Sequence, residues 1–327
     1  MDVTVAGAGV IGLMSAHALA HRGHTVRIVA REVGDETTSG RAAASFKPST
    51  LPRLGPYPQL LLDSRQELDR WARSGFASAM GITEVEHIEV SDRPLEPRDY
   101  LGVMREVQHL GAREGDHLPG GYAHAVAYRT YFFDVPVTLP ALTDHVNTTH
   151  AVPTERAAIE RLEDLLTGSD QQVLVNATGL GARRLEADAA VIPVRGQTVL
   201  VANHEATRAS VNADGYYAYP RSDGIVLGGT AEHGVWDTEP QRDTIARIIA
   251  TNARILPQLR DVQPIESRAG LRPYRRGGVR LELDRDGPAP IVHAYGHGGS
   301  GWTLGPGTAR RVAAMVDGLG PAGSVPR

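Results

Sequence analysis

Six residues near the N-terminus, Gly7-Ala8-Gly9-Val10-Ile11-Gly12, have the types and spacing to hold a diphosphate. In this pattern Gly7 allows a tight turn, Gly9 lets backbone approach a pyrophosphate, and Gly12 lets a helix pack closely on a strand. A helix starting there offers unpaired N–H groups and the positive end of its dipole to the phosphates. The chemistry predicted is dinucleotide binding; a glycine turn that only closes a βα unit is the plainer alternative. The acid expected near the end of the next strand is displaced, because Ala30 and Arg31 precede Glu32. Glu32 then either reaches a ribose hydroxyl or stays in solvent. Arg272 has the planar guanidinium that pairs bidentately with a carboxylate. It stands close to Arg275 and Arg276, however, and a charge cluster also suits a solvated face. His21 and His24, at i and i+3, have metal-ligand types, but no third ligand is apparent; they read as surface residues and no metal is expected. Cysteine is absent, which excludes disulfides, thiolate metal sites and a cysteine nucleophile.

The elements that must position these groups follow the same order. Val3-Thr4-Val5-Ala6 fits a buried parallel strand, and Val10, Met14 and Ala18, flanked by Ile11 and Leu19, recur with helical spacing. Gly23 stands where that helix ends, and Thr25–Val29 reads as a second strand, so the glycine motif sits between strand and helix as it must. Further on, Gln171–Asn176 predicts a buried strand ending at Ala177-Thr178-Gly179, and Ile291–Tyr295 predicts a strand before the glycine-rich run 296–301. The helix expected after that run covers Gly307–Val316. Between these pieces lie a polar helix candidate near Ser64–Arg73, an alternating run Glu84–Val90, two strands within Tyr216–Gly229, and a helix marked by Ile245, Ile248, Ile249, Ile255 and Leu256. Nucleotide-type elements at the start, middle and end imply a discontinuous nucleotide domain.

Size and composition agree. The 327 residues suit about two domains at roughly 150 residues each. Apolar residues at 41 % supply a core, and a net charge of -4 gives no reason to expect nucleic acid or an anionic membrane as partner. Lys47 is the only lysine among 34 basic residues, which reads as base composition of the genome or as heat tolerance, not as function. No apolar run is long enough to span a bilayer, the N-terminus lacks a basic signal region, and Ser324–Arg327 is not a peroxisomal address. A cytoplasmic location is the default expectation.

Taken in order, several segments resemble the D-amino acid oxidase family of FAD-dependent enzymes over nearly the whole length. They are Val5–Leu13, Val175–Gly179, Pro193-Val194-Arg195-Gly196-Gln197, Tyr217-Ala218-Tyr219-Pro220 with Leu227–Thr230, Gly270-Leu271-Arg272-Pro273 and His293–Gly301. The last two, in this order, are the most specific. The resemblance implies an α/β chain with a discontinuous Rossmann-like FAD domain, 1–50 plus 131–195 plus 262–327. A mostly antiparallel substrate domain would comprise 51–130 plus 196–261. It also implies oxidation of a D-amino acid by hydride transfer from Cα to the flavin, giving a 2-oxo acid, ammonia and, with oxygen, hydrogen peroxide.

Site residues carry over position by position. Arg272 and Tyr217 resemble the pair that holds the substrate carboxylate, and the Gly299 carbonyl resembles the acceptor for the amine. The non-covalent FAD would be met by Gly7, Ala8, Gly9, Val10, Ile11 and Gly12, by Arg31, Glu32, Thr38 and Ser39, and by Ala44, Ser45, Thr178 and Gly179. Arg272, Gly296, Gly298, Gly299, Ser300, Gly301, Trp302 and Thr303 complete the set. No side chain is assigned as general acid or base; His297 reads as a structural hydrogen-bonder or a donor toward the flavin edge. Eukaryotic members carry a lid tyrosine four positions before the Tyr217 equivalent, where this chain has Ala213. The D-aspartate oxidase branch carries arginines where this chain has Ala231 and Ser210, so neutral D-amino acids are expected as substrates. Arg208, Arg221 and Arg275 remain candidate cations for an acidic one. D-aspartate oxidase, glycine- or sarcosine-type oxidases and a D-amino acid dehydrogenase are the alternatives; an NAD dehydrogenase and a non-catalytic flavoprotein are more distant ones. A homodimer is compatible with the chain, but no residue specifies it.

Overall fold

The β-branched run Asp2–Ala6 buries four of its five residues because it lies inside a sheet with a strand on each side. The computed structural model describes residues 1–111, 118–169, 171–203 and 210–319. The first sheet has six strands in the order Arg280–Asp284, Ile291–Tyr295, Gln172–Asn176, Asp2–Ala6, Thr25–Ala30, Thr154–Arg156. The last five run parallel and the first is antiparallel to its neighbour. From Asp2–Ala6 the chain therefore winds to one side first and to the other later. That reversal opens a crevice beyond the carboxyl ends of Asp2–Ala6 and Gln172–Asn176, where such sheets bind ligands.

Among the described residues the α-helices are α1 (Val10–His21), α2 (Tyr57–Ser74), α3 (Phe76–Ala79), α4 (Val135–Asp144), α5 (Ala182–Leu185), α6 (Arg242–Ile255) and α7 (Gly301–Asp317). The helical stripe read in α1 understates its burial: Leu13, Ser15, Ala16 and His17 are buried as well. A helix apolar nearly all round belongs between layers. α1 ends with Gly23 at φ +83°, one residue beyond its cap. α7 begins six residues earlier than its apolar pattern suggests, at Gly301. Its first turns are Gly-rich because its neighbours come close. A Cβ on Gly305 would lie 2.7 Å from the Met14 sulfur, and one on Gly307 would lie 2.5 Å from the Leu60 carbonyl oxygen. α2 also starts earlier than expected, with Pro58 in its first turn, where a missing N–H is tolerated. No described helix is long and apolar enough to cross a membrane.

The second sheet has ten strands. Its path runs Glu232–His233, Val191–Val201, Gly224–Gly228, Tyr216–Arg221, Ser210–Ala213, Ile82–Ser91, His124–Phe133, Ala44–Ser45. Pro264–Arg275 also pairs with Val191–Val201, and Arg105–Gly111 with His124–Phe133. Every pairing is antiparallel except Ser210–Ala213 with Ile82–Ser91. α6 covers this sheet with Ile245, Ile248 and Ile255 against Val199, Val201, Ile225 and Leu227. Each such side chain contributes about 1.5–3 kcal/mol on burial. The strand Pro264–Arg275 lies here, whereas the sequence groups it with the last nucleotide-type segment. Its length of pairing with Val191–Val201 brings Arg272 into the second sheet.

Candidate active site

The glycine turn is built by contact. Gly7 has φ +110°, its N–H donates to the Val29 carbonyl at 2.8 Å, and a Cβ there would sit 2.5 Å from the Ala177 carbonyl oxygen. A Cβ on Gly12 would collide with the Gly7 carbonyl. The turn after Asp2–Ala6 thus packs directly on the turn after Gln172–Asn176. Asn176 shapes that second turn: its Oδ1 accepts from the Thr178 hydroxyl at 2.7 Å, and Gly179 follows at φ +58°. Ala8 is buried, and Val10 and Ile11 point into the core. Val10 N–H donates to the Ser39 hydroxyl at 2.9 Å, so Ser39 stands at the N-terminus of α1 beside Gly9. Arg31, exposed, and Glu32, half-buried, lie just past the strand Thr25–Ala30 and pair with each other at 2.7 Å.

Residues 37–50 tie this turn to the far end of the chain. Thr38 donates to the Leu271 carbonyl at 3.0 Å, and the Trp302 indole N–H donates to the Ser39 carbonyl at 3.2 Å. The Thr303 hydroxyl lies 3.1 Å from the carbonyls of both Ser45 and Lys47, and Ser300 receives the Ser49 N–H at 2.8 Å. The short strand Ala44–Ser45 is therefore clamped between Phe132–Phe133 and the start of α7. Gly296 and Gly298 have φ +86° and +56°, and Gly301 opens the helix. His297 in this turn is buried, and its Nε2 lies 3.0 Å from the Thr308 hydroxyl. Burial holds its pKa down near 3, so it is neutral.

Arg272 occupies a corner made by glycines. A Cβ on Gly196 would collide with its guanidinium, so the group lies flat on that residue. A Cβ on Gly299 would come within 3.1 Å of the Arg272 Cδ. Its Nη1 donates to the Thr230 carbonyl at 2.8 Å. Thr230 is fixed in turn: its hydroxyl accepts from Gln197 N–H at 3.0 Å, while Arg195 and Gln197 both bond Glu232. The Pro193–Gln197 segment thus supplies both the space and the brace. Tyr217 lies flat on Gly228, its cross-strand partner, and its ring centre is 4.6 Å from that of Tyr219 at a tilt of 31°. Burial lowers the pKa of Arg272 and raises that of Tyr217, while the charge of Arg272 pulls Tyr217 back down. Among the described residues no carboxylate lies within ion-pair distance of Arg272. Its neighbours are paired: Arg195 with Glu232 and Asp237, Arg275 with Asp188, Arg280 with Glu186.

A group that sequence reasoning passed over lies beneath the tyrosines. Lys47 sits 3.3 Å from Glu89, which accepts from Tyr100 at 2.5 Å and Tyr128 at 2.7 Å. Burial pulls Lys47 down; burial pushes Glu89 up, but Lys47, His87 and the hydrogen bonds from Tyr100 and Tyr128 together outweigh it and hold Glu89 at about 2. The solitary lysine in an arginine-rich chain was the available signal. Tyr219, beside Tyr217, receives a 3.3 Å hydrogen bond from Ser45. Ser210 is buried against His87 at 2.6 Å, and Ala231 is exposed. Arg221 is held by Asp223 at 2.9 Å; Arg208 and Ser324–Arg327 lie outside the described residues. Ala213 is joined to Tyr216 by a two-residue turn, Asp214-Gly215, with φ +48° and +85°. That is a tight hairpin with no inserted lid. His21 and His24 do not face each other as ligands, because His24 Nε2 pairs with Asp317 at 2.9 Å.

A model of the family described as FAD dependent oxidoreductase matches residues 2–315. A D-amino-acid oxidase of Rubrobacter xylanophilus is 36 % identical over 321 residues, covering 95 % of this chain and 94 % of that one. A D-aspartate oxidase of Homo sapiens is 30 % identical over 325 residues, covering 96 % and 94 %. The solved structure of a glycine oxidase from Bacillus cereus superposes with a TM-score of 0.79 at 22 % identity, covering 98 % of this chain and 96 % of that one.

Proposed function

Since the chain belongs to the D-amino acid oxidase family of FAD dependent oxidoreductases, we propose that it deaminates neutral D-amino acids, with Arg272 and Tyr217 holding the substrate carboxylate. The oxidative deamination of D-amino acids is the activity of the family to which the chain belongs, and FAD is its cofactor. The observation that carries the substrate assignment is Arg272 itself. A desolvated guanidinium, laid on Gly196 and beside Tyr217 with no carboxylate of its own, is arranged for an incoming one.

Bound FAD supplies the acceptor for the two electrons removed from the substrate. The residues that fit it are the Gly7–Gly12 turn with the open start of α1, Thr38 and Ser39, Ala44 and Ser45, Thr178 and Gly179, and Gly296 to Thr303. Glu32, with Arg31, stands where a ribose would be met. In this reading the six-stranded sheet carries the cofactor and the ten-stranded sheet carries the substrate groups. Arg272 orients the substrate by two parallel N–H bonds, and the Tyr217 hydroxyl adds a third. The Gly299 carbonyl accepts a hydrogen bond from the amine. Orientation of this kind is what the protein contributes; a substrate amine that arrives neutral leaves no proton for a side-chain base to take. His297 is neutral and engaged with Thr308, in keeping with that scheme.

Neutral substrates are favoured because, among the described residues, the candidate cations are committed. Lys47 pairs with Glu89, Arg221 with Asp223 and Arg275 with Asp188. Burying a second carboxylate without a partner costs several kcal/mol. Oxygen as acceptor, hydrogen peroxide as product, non-covalent attachment of FAD and a cytoplasmic setting belong to the same reading. Two measurements test it. Denaturing and filtering the yellow protein should leave the colour in the filtrate. A comparison of kcat/KM for D-alanine, D-methionine, D-valine and D-aspartate at one pH should place D-aspartate last; D-aspartate first overturns the assignment.

A further inference from the structure

Four of the 13 histidines gather on the face of α1 remote from the phosphate turn. His17 projects from α1, His145 follows the end of α4, and His150 closes the π-helical turn His145–Thr149. One ligand nitrogen from each of these three lies within 4.8 Å of the other two, and His17 Nδ1 is 3.1 Å from His150 Nε2. The four ligands of a tetrahedral Zn²⁺ stand about 3.3 Å apart when Zn–N bonds are about 2.0 Å, so the closest pair already has that spacing. His21, one turn further along α1, has its ring centre 6.0 Å from that of His17 and 6.4 Å from that of His150.

We propose that His17, His145 and His150 form a site for a divalent transition-metal ion of the zinc, cobalt or nickel type, with water or His21 as a fourth ligand. The ion would staple the α4 end and its π turn to α1. Three features of the surroundings suit it. Imidazole nitrogens are suitable ligands for these metals, and carboxylate-loving Mg²⁺ and Ca²⁺ are thereby disfavoured. Burial and mutual proximity keep all three imidazoles below their ordinary pKa, so they offer lone pairs rather than protons. The site also lies toward the C-terminal end of α1, where the helix dipole favours positive charge.

Solvent reaches the cluster, because His145 and His150 are both only half-buried. A cleft of about 330 Å³ opens at His17 and His21, between Trp71 and Arg310. The cations along it are paired: Arg22 with Asp317, Arg70 with Glu67, and Arg310 with Asp63 at 3.1 Å. Their fields at the site are therefore reduced. His17 also packs flat on Phe76 at 4.9 Å, which fixes its ring plane without covering the ring edge that would meet a metal.

The test uses FAD-loaded enzyme stripped with EDTA and titrated with Co²⁺ and with Zn²⁺. The expected result is one saturable site, a Co²⁺ ligand-field band at longer wavelength than the flavin absorption, and a melting temperature that rises with Zn²⁺. His17 is embedded among aromatic rings, so the variants are His145→Gln and His150→Gln. Each should weaken binding at least about tenfold, and the double variant should abolish the Co²⁺ band, all with FAD content and D-alanine turnover unchanged. Failure to bind either ion, or binding that survives in a folded double variant, overturns the proposal.

Discussion

At the phosphate end of the proposed site the working groups are backbone, whereas at the carboxylate end they are side chains. Gly7 and Gly12 are held by close approach of backbone, Gly179 takes φ +58° in the turn beside them, and the surface they make is one of N–H groups and helix start. Arg272 and Tyr217 instead rest on glycines contributed by other strands, Gly196 and Gly228. In both places glycine is required, but for different reasons. At the first it lets two backbones touch. At the second it makes a flat bed for a guanidinium or a phenol. A substitution at the two ends should therefore fail in different ways, one losing cofactor and the other losing substrate.

The largest effect is expected at Arg272. Removing one partner of a buried hydrogen-bonded charge pair costs about 2–5 kcal/mol, or roughly 30- to several-thousand-fold. Arg272→Leu should lower kcat/KM for D-alanine by that range, mostly through KM, while FAD content stays at wild-type level. If FAD is lost first, the division between the two ends is wrong. Gly12→Ala should show the converse. Its Cβ would overlap the Gly7 carbonyl, and overpacking of this kind costs about 1–3 kcal/mol or more. Protein purified with little FAD is the expected result, measured by the ratio of flavin to protein absorbance.

Gly196→Ala sharpens the comparison, because it touches neither ligand directly. The added methyl would lift the guanidinium off its bed, and activity should fall about 10- to 100-fold with FAD retained. Unchanged activity would show that Arg272 does not depend on that support. Tyr217→Phe should be milder still. It removes one hydroxyl hydrogen bond worth about 1 kcal/mol, or up to about 3 with a charged partner, and leaves the ring on Gly228. Complete loss of turnover in this variant would mean that the hydroxyl does more than bind.

How much of this was legible in the sequence follows from the same contrast. The turn at Gly7–Gly12 is a local pattern, with strand, glycines and helix contiguous, so spacing alone points to it. The corner at Arg272 is assembled from residues 196, 217, 228, 230 and 299, and only pairing between distant strands brings these together. Chemistry alone left Arg272 level with a solvated arginine; the resemblance named its role, and the fold supplies the bed and the brace. The start of α7 was missed because its glycines and Pro306 read as a turn, while they exist for close packing on α1 and α2. The pairing of Lys47 with Glu89 has no periodic signature, since the two stand 42 positions apart; only the rarity of lysine marks one of them. The histidine cluster has no local signature either: His17 meets His145 and His150 from more than a hundred residues away, and the pair His21 and His24 does not mark it.

A global effect, on stability rather than on the site, comes from the buried histidines. His17, His87 and His297 are held near pKa 3 by burial, far below the ordinary 6.5. The unfolded chain therefore binds more protons than the native one between these values. Their contribution is fully present above pH about 6.5 and is lost as pH falls toward about 3, each by up to about 1.4 kcal/mol per pH unit. Denaturant melts across that window should show stability falling with acid. A flat profile between pH 6.5 and 4 would mean that these rings are solvated.

In the proposed reading Arg272 recognises a carboxylate and nothing else in the reaction depends on it. The direct measurement is a cycle of two enzymes and two substrates, with kcat/KM determined for D-alanine and D-alaninamide on the wild type and on Arg272→Leu. The account predicts that the wild type prefers D-alanine by roughly 30-fold or more and that the variant loses most of this preference while still reacting with the amide. A preference that persists in the FAD-loaded variant, or an equal fall for both substrates, contradicts it.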